Sequence, residues 1–468
     1  MRATRISSNL PTVHVPQLRS VDRRARERTL ASCSRRQFLS ALAPLAVGMR
    51  TQVVAATSQP VTRATVLDNV LLLDGTGAPA VPGMRLVIVG GRLQRLGRMA
   101  DVPVPDGAEV VDLRGRTVMP GLVDAHFHIE DDPKLALRQL ANGVTAFRDP
   151  GAWMEKFDGV KAMIAADGLP APRMSLCGPH IDGPNPAYPK DSVVARDPDE
   201  ARALTERNIG DGATAIKIYF RLPLASVRAV VEVCRARGVP CTAHLEVLDA
   251  RDALRAGLDG IEHITSFGTC LVPPMRAERY RQAVLADNDA RDLGRYAVFS
   301  EADFERAEAR DLFAVVQERK PFVDATLAVF EVRAARAPTD WPREFVTAGL
   351  AGYANMKRLT LRLHQHGARL VLGGHSTVPF ADRGDAPLRE LELLVESGVP
   401  RLDAIRAATL TGAEFLRLDR DTGSLAGGKS ADLLVLAGNP AEEISAIRRL
   451  ERVMLQGRWI DLEKYRRY

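Results

Sequence analysis

The sequence predicts an α/β fold built on a (β/α)8 barrel of the TIM type, and three observations carry that expectation. Eight short apolar runs recur through the middle of the 468-residue chain, amphipathic segments separate several of them, and two β-rich flanks of different character bracket the series. The runs are 121–128, 144–148, 173–177, 214–219, 240–244, 260–264, 322–327 and 370–373. Asp197-Pro198-Asp199-Glu200 opens one intervening helix and Gly238 closes another, because a short acidic side chain caps the first free N–H groups and glycine tolerates a left-handed exit. The polar connection from Arg276 to Lys320 is long enough for extra helices, a candidate lid over the barrel mouth.

The flanks are read from turn chemistry. "TVLDNVLLLDG", "RLVIVGGRLQRLG" and "AEVVDLRGRTVMPG" on the N-terminal side, and "ADLLVLAGNP" and "RRLERVMLQGRWID" near the end, are β-branched runs punctuated by Asp-Gly, Gly-Gly and Arg-Gly. At 46% hydrophobic and 26% charged residues the composition is that of a globular protein. The net charge of +6 does not describe a nucleic-acid surface: residues 1–56 hold ten arginines against Asp22 and Glu27, which leaves the remainder near −2. No nucleic-acid partner is expected.

Residues 1–56 carry a separate message. Ser34-Arg35-Arg36-Gln37-Phe38-Leu39 precedes a short apolar stretch to Met49 and the small residues Val54-Ala55-Ala56. This resembles a twin-arginine signal peptide, which implies the twin-arginine export machinery as a partner and a periplasmic or otherwise exported protein. Cys177, Cys234, Cys241 and Cys270 show no paired spacing, so no structural disulfide is expected and Cys234 and Cys241 read as small core residues.

Chemistry in a barrel of this kind gathers where the strands end. Strand one ends in "DAHFH", so His126 and His128 lie two apart and project to one side. By itself that pair is either a metal-ligand pair or one packed and one solvated imidazole. Strand four carries Lys217 inside "AIKIY", strand five ends with His244 in "TAHLE", and strand six with His263 in "GIEHI". A lysine inside the barrel would lose its charge to desolvation, and the neutral amine can combine with carbon dioxide to give an anionic carbamate; a lysine pointing outward would snorkel between helices instead. Tyr219 shares a face with Lys217 and is either a substrate contact or a core ring, and His180 in "GPHID" either lines the pocket or sits on a loop. His364 and His366 fall on a surface helix and are expected to be solvated.

The stretches "VMPGLVDAHFH", "GVTAFRDPG", "AIKIY", "TAHLE", "DGIEHI" and "ATLTGAEFLRL…GSLAGGKSADLLVLAGNP" together resemble the amidohydrolase superfamily, in the branch of imidazolonepropionase-like enzymes and Xaa-Pro-type metal-dependent dipeptidases. The resemblance covers nearly everything after residue 56. It implies a barrel (119–410) with a small β-sandwich built from both chain ends (57–118 and, after a terminal helix, 411–468). It also implies two divalent metal ions, by default zinc: His126 and His128 on one, His244 and His263 on the other, with carboxylated Lys217 bridging them. The implied activity is hydrolysis of a C–N bond in a small amide, dipeptide or cyclic amide by a metal-bridging hydroxide; an oligomer is compatible with it.

One position departs from the family pattern. Strand eight normally ends with an aspartate that shuttles a proton, whereas "LVLGGHST" places His375 there. His375 then acts as base or as ligand, with Asp382 or Asp385 on the following loop as substitute shuttles. The competing reading is a metal-loaded barrel that binds a ligand without turning it over.

Overall fold

The computed structural model describes residues 63–468, apart from 130, 131, 133, 169, 334–342, 377, 379–383 and 468. The segment expected to be a signal peptide, 1–56, and Asp382 lie outside the described residues. Each of the eight expected runs coincides with or overlaps a strand: Leu122–Asp124, Val144–Asp149, Arg173–Leu176, Ile216–Ile218, Cys241–His244, Gly260–Glu262, Phe322–Asp324 and Arg369–Val371; all but the second are shorter than expected. Every neighbouring pair among them is parallel. The first three form one ladder; the other five form a second, extended by His180–Asp182 and Ser192–Val194. Backbone bonds join the ladders at both margins, from Thr214 N–H to Leu176 O (2.8 Å) and from Ala125 N–H to Leu372 O (2.7 Å).

Asp197 caps the helix Pro198–Gly210, its carboxylate accepting from the N–H groups of Asp199 and Glu200 at 2.9 and 2.8 Å. Gly238 ends Leu224–Arg237 in the left-handed region at φ 68°. Gly260 is needed for tight sheet packing, since a Cβ there would lie 2.7 Å from the carbonyl oxygen of Phe322. The connection after Arg276 carries the helices Ala290–Ser300 and Ala307–Arg319, following Pro274–Ala286. Ala290–Ser300 is gripped by the long helix Arg343–Gln365, where a Cβ on Gly352 would come within 2.4 Å of the Tyr296 carbonyl oxygen.

The two chain ends meet in one eight-stranded sheet. Its order runs from Arg458–Trp459 through Leu450–Leu455, Leu433–Leu436, Thr117–Pro120, Thr65–Leu72 and Val81–Val89 to Arg92–Arg98, with Glu109–Asp112 paired to Thr65–Leu72. Thr117–Pro120 runs almost directly into Leu122–Asp124, so the flanking sheet anchors the start of the parallel core. Cys177, Cys234, Cys241 and Cys270 are buried free thiols. No helix among the described residues is long and apolar enough to cross a membrane.

Candidate metal centre

At the ends of the parallel strands a cavity of about 580 Å³ opens, lined by His126, His128, His180, His244, His263 and His375. Lys217 and Tyr219 also line it. The i, i+2 alternation persists one step beyond the first strand: Phe127 is fully buried on the opposite side, its N–H bonded to Arg148 O at 2.9 Å, while the flanking imidazoles face the cavity. His126 sits 4.6 Å, centroid to centroid, from His263, 5.2 Å from His128 and 5.0 Å from His375. His375 lies 4.9 Å from His128, and His244 lies 4.5 Å from His263. His263 and His375 take the left-handed conformation, at φ 61° and 64°, which non-glycine residues avoid and which collects at functional sites.

Burial followed by mutual repulsion sets the charge state. Desolvation first, then neighbouring cations and imidazoles, push His126, His128 and His263 well below the ordinary histidine range and bring His180 and His244 to about 3. These rings are neutral, and each offers a lone pair. Which nitrogen offers it is decided by the hydrogen bond at the other. His126 Nδ1 lies 3.3 Å from carboxylate oxygens of both Asp324 and Glu262, His244 Nε2 lies 3.0 Å from Glu246 Oε1, and His263 Nδ1 lies 2.7 Å from Thr326 Oγ1. His126 Nε2 and His244 Nδ1 are left buried without any partner. Orphaned neutral imidazole nitrogens from residues that line one cavity suit a divalent metal, so the residues present fit such an ion. The ligating atoms of His126, His128 and His375 fall within 4.8 Å of one another, as do those of His126, Glu262 and His263.

Beneath the histidines lies a charged floor. Arg148 is fully buried and donates to Ala125 O (2.6 Å), Thr242 Oγ1 (3.0 Å), Glu262 Oε1 (2.8 Å) and Asp324 Oδ2 (3.3 Å). Lys217 faces the interior and its Nζ contacts the Glu262 carboxylate. Desolvation and then the Arg148 charge outweigh the opposing pull of Asp324 and Cys177 and bring Lys217 down to about 7. Burial raises Asp324 to about 7 against the pull of Arg148 and Lys217.

Tyr219 and His180 are brought together, their rings stacked at 4.9 Å on the cavity wall. Gly151 makes room for that histidine, since a Cβ there would strike its Nε2 at 1.9 Å. His364 and His366 stand apart from the site and are not simply solvated: one pairs with Asp403 at 3.2 Å, the other stacks on Phe313 at 4.5 Å. Asp385 corrects the sequence reading. It is committed to Arg448 at the start of the helix Ala386–Glu396 and does not line the cavity, so it cannot stand in for the strand-eight aspartate.

Glu246, Glu262, Arg148 and Asp324 escaped the sequence reading although a signal existed: each is a charged residue within or just beyond an otherwise apolar strand, as Lys217 is. Burial works to raise Glu246, but Arg295, His244 and Tyr280 outweigh it and hold it at about 2, so it stays ionised behind His244.

The profile of the Amidohydrolase family matches residues 358–460. Adenine deaminase 3 of Rhizobium meliloti (strain 1021) is 26% identical over 388 residues, 78% of this chain and 53% of that protein; the chain thus spans about half the length of the adenine deaminases it matches. Imidazolonepropionase of Pseudomonas aeruginosa (strain LESB58) is 27% identical over 398 residues, 77% of this chain and 89% of that protein. The crystal structure of a Xaa-Pro dipeptidase with bound methionine in its active site superposes with a TM-score of 0.66 at 21% identity, covering 85% of this chain and 99% of that one. Profile, relatives and fold agree in their direction: the chain is similar to the amidohydrolase superfamily over most of its length.

Proposed function

We propose that the protein is a metal-dependent hydrolase of a C–N bond in a small molecule. The single observation that carries this reading is the set of neutral imidazoles with orphaned nitrogens around one cavity. His126, His128 and His375 would hold one divalent ion, and His244 and His263 a second, with Lys217 between as the carbamate; zinc suits the donor set. Bound there, such ions supply Lewis acidity toward a carbonyl and acidify water. Glu262 can release Lys217 for carboxylation at modest cost, because it keeps Arg148 and Thr242 as partners.

The chain's own groups divide the remaining work. Asp324 and Glu246 aim His126 and His244, and Tyr219 and His180 present one wall to the substrate. The nearness of His375 to both His126 and His128 supports ligation by its imidazole over a purely basic role. The parallel ladders are read as one closed barrel, supported by the bonds at both margins, and the flanking sheet as the β-sandwich of the family. Export through the twin-arginine route belongs to the same proposal and rests on Arg35 and Arg36.

A second reading, a binding protein without turnover, is favoured by one observation: no carboxylate among the described residues takes the strand-eight position. Turnover separates the two. Metal-loaded protein assayed on a panel of amides, dipeptides and cyclic amides is expected to hydrolyse at least one of them and to lose that activity to a chelator. His375→Ala should lower kcat by about 10²-fold or more. Loss of metal in the same variant assigns ligation, and retention assigns base catalysis. Unchanged rate and metal content would remove His375 from the site, and no turnover by wild type would leave the binding reading.

A further inference from the structure

We infer that the cavity takes a substrate bearing a carboxylate, which Arg291 on the helix Ala290–Ser300 anchors opposite the histidines. This rests on the hydrolase reading above and narrows it to N-acylated amino acids and peptides with a free carboxyl end. The argument begins with the cations around the cavity. Among the described lining residues, Lys156 lies 3.5 Å from Asp191, Arg295 lies 3.3 Å from Glu246, and Lys217 contacts Glu262. Arg291 has no such partner. Its nearest carboxylate, Asp292, is 3.9 Å from its Nε, beyond hydrogen-bond reach.

The Arg291 side chain is only 9% exposed, and a guanidinium so far withdrawn from water is costly unless its donors are used. Nη2 donates to Tyr188 Oη at 2.9 Å, while Nη1 is buried with no partner. Two aromatic rings lie against the group: its central carbon is 5.2 Å from the centre of the Tyr188 ring and 5.5 Å from that of Phe220. The unused capacity is at Nη1, an edge donor of the kind that arginine offers to a carboxylate. Tyr188 and Tyr219 pack edge to face at 5.5 Å, and Tyr219 in turn meets His244 at 4.9 Å. The aromatic wall therefore runs from the guanidinium to the histidines, so one molecule can place its anionic end on Arg291 and its amide among the imidazoles. A neutral purine could offer that donor a ring nitrogen but no opposing charge.

The test uses the full chain purified with zinc and a panel of N-acetyl amino acids and dipeptides, each paired with its C-terminal carboxamide. Both turnover and the shift in melting temperature are read. Acids should be preferred over their amides by about 10- to 100-fold in kcat/KM, the equivalent of one charged hydrogen bond, and should raise the melting temperature more. Arg291→Met should bring the acid-to-amide ratio near unity, and Arg291→Lys should keep part of it. If nothing is turned over but acids still stabilise wild type selectively and Arg291→Met does not respond, the anion subsite stands and the hydrolase reading falls. Absence of acid-over-amide discrimination in both measurements, or a ratio untouched by Arg291→Met, overturns the inference.

Discussion

Arg148 and the imidazoles of His126 and His244 are almost equally inaccessible to water, yet they are treated in opposite ways. The floor of the site gives Arg148 two carboxylates, a hydroxyl and a carbonyl. The mouth leaves His126 Nε2 and His244 Nδ1, and on its far wall Arg291 Nη1, with nothing. A protein retains an unmet hydrogen-bond demand in its interior only at a cost of about 1–3 kcal/mol per group. Unpartnered buried atoms occur elsewhere in the molecule too, as at Gln139 and Tyr353, but around this cavity they gather on imidazoles and a guanidinium, the groups that the proposed function would fill with ligands.

The sharpest way to break this contrast is at the floor. Arg148→Met strands Glu262 and Asp324 without their shared counter-ion, and removing one partner of a buried charge network costs about 3–5 kcal/mol. Urea denaturation should show a loss of that size; a loss below about 1 kcal/mol would mean the floor is not structural.

Next in size is Lys217→Ala, which stands on the boundary between the layers. If the lysine belongs with the mouth, metal analysis should fall from about two ions per chain and activity should go with it, as expected of a shared carbamate ligand. Stability without metal should change much less than in Arg148→Met, because Glu262 keeps Arg148 and Thr242. Full metal content in the variant would return Lys217 to the floor as a plain ion-pair partner.

The smallest effect concerns a buried carboxylate satisfied by neither kind of charge. Glu390 accepts only the N–H groups of Leu327 and Ala328, at 2.9 and 2.7 Å, and burial raises it to about 8 despite them. Its pKa in the folded state is above the unfolded value, so its contribution to stability is complete below the ordinary glutamate range and is lost as pH rises toward about 8. Glu390→Gln should therefore flatten the fall in urea midpoint between pH 5 and pH 8 relative to wild type. Parallel pH profiles would show that its carboxyl is not held protonated.

Much of this was legible in the chain, for reasons of range. The eight strands announced themselves as apolar runs, and His126, His128, Lys217, His244 and His263 stood out because each lies at or near the end of such a run. Alternation within a strand needs only neighbouring residues to be read. Asp385 shows the limit of such reasoning: it follows His375 closely enough in sequence to suggest a shared role, but the chain turns it to Arg448.

The sequence by itself determined the parallel core, the two β flanks and the histidines at the strand ends, because strand periodicity and turn chemistry are properties of a few consecutive residues. Only the tertiary structure decided which nitrogen of each histidine is free, since that depends on Asp324, Glu246 and Thr326, which come from other strands or from the far side of a turn. It also decided that one arginine, Arg148, is neutralised within the floor while another, Arg291, reaches the cavity with a donor to spare. A residue type states what a group can do; its partners, brought from distant parts of the chain by packing, state what it has left to offer.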